Sequence, residues 1–161
     1  MPTPATGTPT LSAASDDYTY DLRVHASPQE ILAAVTDGDL ICGWWTAATR
    51  YERHGDELQL FRDEAPFVGF TVDHAPDTTG VAWTVTTCVM DDWIGTRQSF
   101  SVRQDDDGTC AVAFRHIGLR PALECFDQCR AGWNHFMPSL HQFLETGVGR
   151  PNEPRDASAR P

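Results

Sequence analysis

The chain contains no lysine: all 12 basic residues are arginine, set against 23 acidic ones, and the formal net charge is -11. A Schiff-base lysine and the lysine of a phosphate-binding P-loop are therefore excluded on inventory alone. Clustered basic residues are missing as well. Nucleic acids and anionic membranes are bound through such clusters, so neither is an expected partner. No window approaches the roughly 18 consecutive apolar residues of a membrane span. The N-terminus has neither the charged start nor the apolar centre of a secretory signal, which makes the cytoplasm the expected location. Five cysteines, Cys42, Cys88, Cys110, Cys125 and Cys129, are odd in number and irregularly spaced. That suits reduced, buried thiols better than a disulfide framework.

What is present points to one core. A chain of 161 residues with 40% hydrophobic content, including five Trp and eight Phe, would leave two marginal halves if divided. Residues 1–15 and 150–161 are rich in Pro, Thr, Ala, Ser and Arg with little to bury, and are expected to be a disordered lead and tail around a single domain of residues 16–149.

The element order follows from period and punctuation. Tyr18, Tyr20, Leu22 and Val24 alternate with polar residues as in a half-buried strand. Ser27-Pro28-Gln29-Glu30 is a capping-box helix start, and Asp37 to Thr46 a second short helix ending on Trp44 and Trp45. Strands are expected at 49–53, 57–62, 67–74, 80–89, 93–103 and 109–118, separated by turn chemistry that includes Ala65-Pro66, Asp91-Asp92 and Asp105-Asp106-Asp107-Gly108. Short connections make these neighbours antiparallel. Pro121 to Gly147 reads as a long helix whose apolar face carries Ala122, Phe126, Cys129, Trp133, Phe136, Met137, Leu140 and Leu144, with Pro138 as an expected kink.

About seven strands at roughly 4.8 Å spacing make a sheet some 30 Å wide, against about 10–12 Å for one helix. The sheet is thus expected to curl around the helix and leave a cavity at one end of the grip. The rows Val81, Trp83, Val85, Thr87, Val89 and Ile94, Thr96, Gln98, Phe100, Val102 and Cys110, Val112, Phe114, His116 are read as inward-facing. Thr87, Thr96, Gln98 and His116 are then the few polar groups of an otherwise apolar pocket, the usual composition of a small-molecule site.

The runs SPQEILAAVTD, WW, WIGTRQSFSV, GTCAVAFRHIGL, GW in the last helix and SLHQFLETGVGRP, spread over residues 17–151, resemble the START-related helix-grip (SRPBCC) superfamily. The branch is similar to the C-terminal domain of the activator of the 90-kDa heat-shock protein ATPase. The resemblance implies an α+β fold: a curved antiparallel sheet of six to seven strands wrapped on a long C-terminal helix, with two short helices after the first strand and an internal apolar cavity. The superfamily includes lipid and hormone binders, aromatic polyketide cyclases, oxygenase domains and co-chaperone domains, so fold alone does not select an activity.

Three readings follow. The first is a binder of a small hydrophobic or aromatic ligand, without a cofactor or metal, in a cavity of a few hundred cubic ångströms. Its expected lining is Trp45, Phe70, Trp83, Thr87, Thr96, Gln98, Phe100, Phe114, His116, Cys129, Trp133 and Phe136. The second is a cyclase-like or hydrolase-like enzyme with His116 as candidate acid or base, since an unperturbed imidazole titrates near pH 6.5. The third is a protein-interaction module with a chaperone or a second copy as partner. Cys125 and Cys129, one helical turn apart, lack the companion spacing of a metal site and read as packed thiols.

Overall fold

The structure, a computed structural model, describes residues 17–45, 48, 50–74, 80–120, 123–124 and 126–151. The expected lead, Pro76 to Thr79, Pro121, Ala122, Cys125 and the expected tail beyond Pro151 fall outside the described residues.

Strand β1 (Tyr18–Val24) is followed by helix α1 (Pro28–Ala34) and helix α2 (Gly38–Ile41). The capping box forms as its sequence demands: Ser27 accepts from the Glu30 amide and Glu30 accepts from the Ser27 amide. Six strands come next: β2 (Arg50–His54), β3 (Glu57–Arg62), β4 (Ala65–His74), β5 (Gly80–Cys88), β6 (Arg97–Gln104) and β7 (Cys110–Ile117). Helix α3 (Phe126–Thr146) ends the domain and runs through Pro138 as a single element.

All seven strands form one antiparallel sheet in the order β1-β7-β6-β5-β4-β3-β2. The first strand pairs with the last, because two helices separate it from β2. In register, Trp83, Gln98, His116 and Tyr18 lie side by side across β5, β6, β7 and β1. This rung crosses the sheet where it faces α3.

Besides a bulge between Leu60 and Phe61, the sheet departs from the expected pattern in three places. A bulge between Gly69 and Phe70 sets Gly69 against Thr87 and Phe70 against Val85, so one residue of β5 is skipped. Thr86 and Thr87 both turn outward, bonding Glu57 and Gln59 at 2.9 and 3.0 Å. The inward row therefore ends at Val85, and neither Thr87 nor the 62% exposed Val89 belongs to it. The second departure is at 91–93, where Asp91–Trp93 forms one turn of 3₁₀ helix. The next strand thus starts at Arg97, and Ile94 is 48% exposed rather than inward. The third is the β3–β4 turn. It lies at Asp63 and Glu64, whose φ values of 53° and 69° match a two-residue primed hairpin, while Ala65 and Pro66 belong to β4.

Candidate functional site

The closed side of the grip is packed with rings. Phe70 and Trp83 stack at 4.4 Å between centroids, Trp83 meets Phe100 at 4.9 Å, Phe100 meets Phe114 at 5.0 Å, and Phe114 meets Trp133 at 4.5 Å. Trp44 and Trp45 are both buried, as wedges between α2 and the sheet. The Trp44 indole donates to the Ala34 carbonyl at 2.9 Å and the Trp83 indole to the Val35 carbonyl at 2.7 Å, which fixes both rings against the end of α1. Hence the enclosed void expected among these residues is filled. The width argument counted backbone layers, whereas the five Trp with Phe70, Phe100, Phe114 and Phe136 supply the missing volume.

His116 sits within this packing with no exposed surface. Trp133, an obligate donor, gives its indole N–H to Nδ1 at 3.0 Å. Nδ1 is therefore an acceptor, and in a neutral ring the proton lies on Nε2. Thr96 Oγ1 is 2.8 Å from Nε2 and has its own hydroxyl committed to the Trp93 carbonyl at 2.6 Å, so it accepts from the imidazole. The Gln98 amide is 2.9 Å from the same nitrogen. The structure sets Gln98 Nε2 against the ring, but two donors cannot face each other, so we assign the amide in the flipped orientation, with its oxygen toward the ring. Gln98's second polar atom has no hydrogen-bond partner among the described residues.

Burial pushes the His116 pKa down to about 3. The ring is neutral at physiological pH and both nitrogens are occupied. Thr96, Gln98 and His116, three of the four polar groups proposed from the sequence, do come together, as a knot behind Trp133. Thr87 is not with them.

A cleft remains beyond this knot, between the N-terminal half of α3 and the 91–93 turn. It is partly open, holds about 50 Å³, and is lined by Trp45, Phe67, Met90, Trp93, Gln128, Cys129, Gly132, Trp133 and Phe136. Three indoles form its floor as a nearly parallel tier: Trp45 and Trp133 are 5.5 Å apart at 6°, Trp93 and Trp133 5.9 Å at 11°, and Trp45 and Trp93 6.4 Å at 12°. The Trp93 indole donates to Cys129 Sγ at 3.0 Å, and that sulfur lies 3.9 Å from Met90 Sδ. Cys42 and Cys110 are free thiols, with Cys110 at the far end of β7 and distant in register from His116. Among the described residues no group of three His, Cys, Asp or Glu side chains is arranged to hold a metal.

Trp45, Cys129, Trp133 and Phe136 are thus brought to the cleft, while Phe70, Trp83, Phe100 and Phe114 support it from the core. Sequence reasoning missed Trp93, Met90, Phe67, Gln128 and Gly132. Trp93 had been placed in a strand, on the same side as the exposed Arg97 and Arg103. A large aromatic on a solvent side, preceded by two aspartates and followed by a glycine, was the available sign that the strand had not begun.

No family model and no curated protein matches the chain. Solved structures do match. The solution structure of an Aha1 dimer from Colwellia psychrerythraea superposes with a TM-score of 0.68 at 24% identity, over 83% of this chain and 98% of that one. A Staphylococcus saprophyticus protein gives 0.61 at 18% identity, over 84% and 97%. The fold is the Aha1-like helix grip. DynU16, from the dynemicin biosynthetic locus, shares the helix grip with a TM-score of 0.61 at 19% identity; 86% of this chain covers 50% of DynU16. Identities this low carry the architecture and leave the activity to the site. Within the helix grip, the cleft occupies one end of the clasp, where the sheet hands over from β5 to β6 and α3 begins. No helix among the described residues is long and apolar enough to cross a membrane.

Proposed function

We propose that the protein binds a small hydrophobic or aromatic molecule in the cleft between α3 and the 91–93 turn, rather than in an enclosed interior. One observation carries this reading: a nearly parallel tier of three buried indoles, Trp45, Trp93 and Trp133, backs a partly open cleft. Aromatic surface with a few polar groups is the composition of small-molecule sites. At about 50 Å³ the cleft takes the leading edge of a ring in its resting form. Accommodating a whole ligand requires the N-terminal half of α3 and the 91–93 turn to separate.

The cyclase or hydrolase reading with His116 as acid or base has no such support. Its imidazole is spent on Trp133, Thr96 and Gln98, and burial holds it neutral. No cofactor is needed for the binding reading, and the cytoplasm is its proposed setting.

Native mass spectrometry of the purified protein, before and after mild denaturation, tests the proposal. The expected result is a small-molecule mass that accompanies the folded chain and leaves on unfolding. A bare folded chain that also fails to take up any added aromatic compound would sink it.

A second reading, self-association or chaperone contact, rests on two of the three large exposed hydrophobics among the described residues. Val89 and Ile94 flank the same turn at 62% and 48% exposure. Sedimentation velocity on the wild type and on Val89→Glu with Ile94→Glu separates the two readings: a dimer lost in the double variant favours association through this tip.

A further inference from the structure

Resting on the binding reading above, we infer that the cleft selects a neutral, flat aromatic ring over an anionic amphiphile, and that Gly132 sets this specificity by keeping a notch open in α3. Gly132 lies well inside the helix, where glycine is the poorest former after proline. Neither backbone nor packing requires it. A Cβ built there meets nothing within 4 Å, whereas at Gly69 or Gly149 it would come within 2.6 and 2.8 Å of neighbouring atoms. Nor is its φ in the left-handed region, unlike Gly147 at +89° in the same segment. The helix thus carries an unfavourable residue whose one structural effect is empty space, and that space opens onto the cleft beside Trp133.

The shape and charge of the space indicate what would enter. Three indoles lie within 6° to 12° of parallel, so a ring sliding in along their planes continues an offset stack, the favoured geometry for aromatic pairs. Two of the three indole N–H groups are already spent, Trp93's on Cys129 and Trp133's on His116. No Lys, Arg or His lines the cleft. Arg62 stays outside the lining, with its guanidinium stacked 4.0 Å from the Phe67 ring centroid. Asp91 and Asp92, both exposed, sit on the turn that forms the cleft's edge. An anion entering here would lose its hydration without gaining a countercharge and would approach two carboxylates. A neutral ring meets neither cost.

N-phenyl-1-naphthylamine and 8-anilinonaphthalene-1-sulfonate share one ring skeleton and differ by a sulfonate, which makes them matched fluorescent probes. Titrate both into the full chain and into Gly132→Ala and Gly132→Leu, and record thermal unfolding of each protein. The neutral probe should bind the wild type at least about tenfold tighter than the sulfonate, and Gly132→Leu should lose about tenfold or more of that affinity. Gly132→Ala should unfold at a higher temperature with an intermediate affinity; it keeps the test sound should the leucine variant fold poorly. Equal or tighter binding of the sulfonate overturns the charge rule. Unchanged neutral-probe affinity in both variants overturns the notch. Failure of the wild type to bind either probe overturns the underlying cleft reading instead, together with this inference.

Discussion

The two halves of α3 are held by different kinds of force. From Pro138 to Thr146 the helix is clasped by hydrogen bonds. Ser139 Oγ donates to the Trp44 carbonyl at 2.9 Å and accepts the Arg150 amide at 2.6 Å, Gln142 donates to the Val148 carbonyl at 2.8 Å, and Glu145 accepts the His25 amide at 2.8 Å. Gly147 turns the chain back on itself, so that residues 148–150 run along the helix they have just left. From Phe126 to Met137 the ties go mainly through rings: Trp133 to His116, the Trp93 indole to Cys129, the Tyr18 hydroxyl to Asn134 at 2.5 Å, and the His135 ring to the Arg150 carbonyl at 3.1 Å. Hydrogen bonds are directional and costly to leave unmade, while stacked rings keep much of their energy when they slide. The clasped half fixes the helix on the sheet; the stacked half can part from the 91–93 turn to admit a further ring at the cost of one weak polar tie, the Trp93 indole to Cys129. A clasp at both ends would leave no such freedom.

That contrast can be broken most forcefully at Trp133, where the stacked half is anchored. Replacing it by alanine removes a buried indole and strips His116 Nδ1 of its donor, so stability should fall by about 3–5 kcal/mol in urea unfolding. A loss below about 1 kcal/mol would mean that the open half of α3 is anchored elsewhere. Acid probes the same knot. The folded pKa of His116 is about 3 and the unfolded value about 6.5, so between those limits the unfolded chain binds a proton that the folded chain refuses. Its contribution is complete above pH 6.5 and is lost as pH falls toward 3, by up to a few kcal/mol. A stability profile across that window should be flatter in His116→Gln than in the wild type, even if that variant is less stable throughout. Parallel profiles would show that the ring is not held neutral.

The clasped half should give a smaller response. Ser139→Ala leaves a buried Trp44 carbonyl and the Arg150 amide without their partner, a cost of about 1–3 kcal/mol. Probe binding in the cleft should be unchanged, because neither Ser139 nor its two partners, Trp44 and Arg150, line it. Loss of binding in this variant would couple the halves and undo the distinction.

Much of this architecture was legible locally, and the failures have a common cause. The capping box at Ser27 and Glu30, strand 57–62, and the burial of both Trp44 and Trp45 follow from spacing within a few residues. The pairing of β1 with β7 does not, because it joins Tyr18 to His116 across almost the whole domain. Thr87 was misplaced because alternation along β5 cannot register the residue skipped opposite Gly69 and Phe70 on β4. The polar set was seen in part: Thr96, Gln98 and His116 were read correctly as sharing the inner face. Their closure by Trp133 could not be seen, since it depends on how α3 lies on the sheet. The cavity was misjudged for a related reason. Strand spacing and helix diameter fix how far apart the layers stand, but rings from both layers decide how much of the gap survives, and here the aromatic end of the grip keeps a narrow cleft beside Gly132.

The finest test of the two halves uses one substitution at two glycines. Gly132→Ala and Gly147→Ala both add a methyl group that meets no atom within 4 Å, so packing contributes to neither. At Gly132 the backbone is helical, and alanine should stabilise by about 0.5–1 kcal/mol by removing glycine's entropic cost. At Gly147 φ is +89°, where a Cβ crowds the following carbonyl at a cost of about 1–2 kcal/mol, offset in part by the same entropic gain. Chemical denaturation of the pair should therefore give shifts of opposite sign. If both destabilise, Gly132 is fixed by a backbone demand of its own and not by the need for a gap. If they differ as expected, the glycine of the clasped half serves the chain's return, and that of the stacked half is retained against helix stability, which a folded, unliganded chain gives no reason to do.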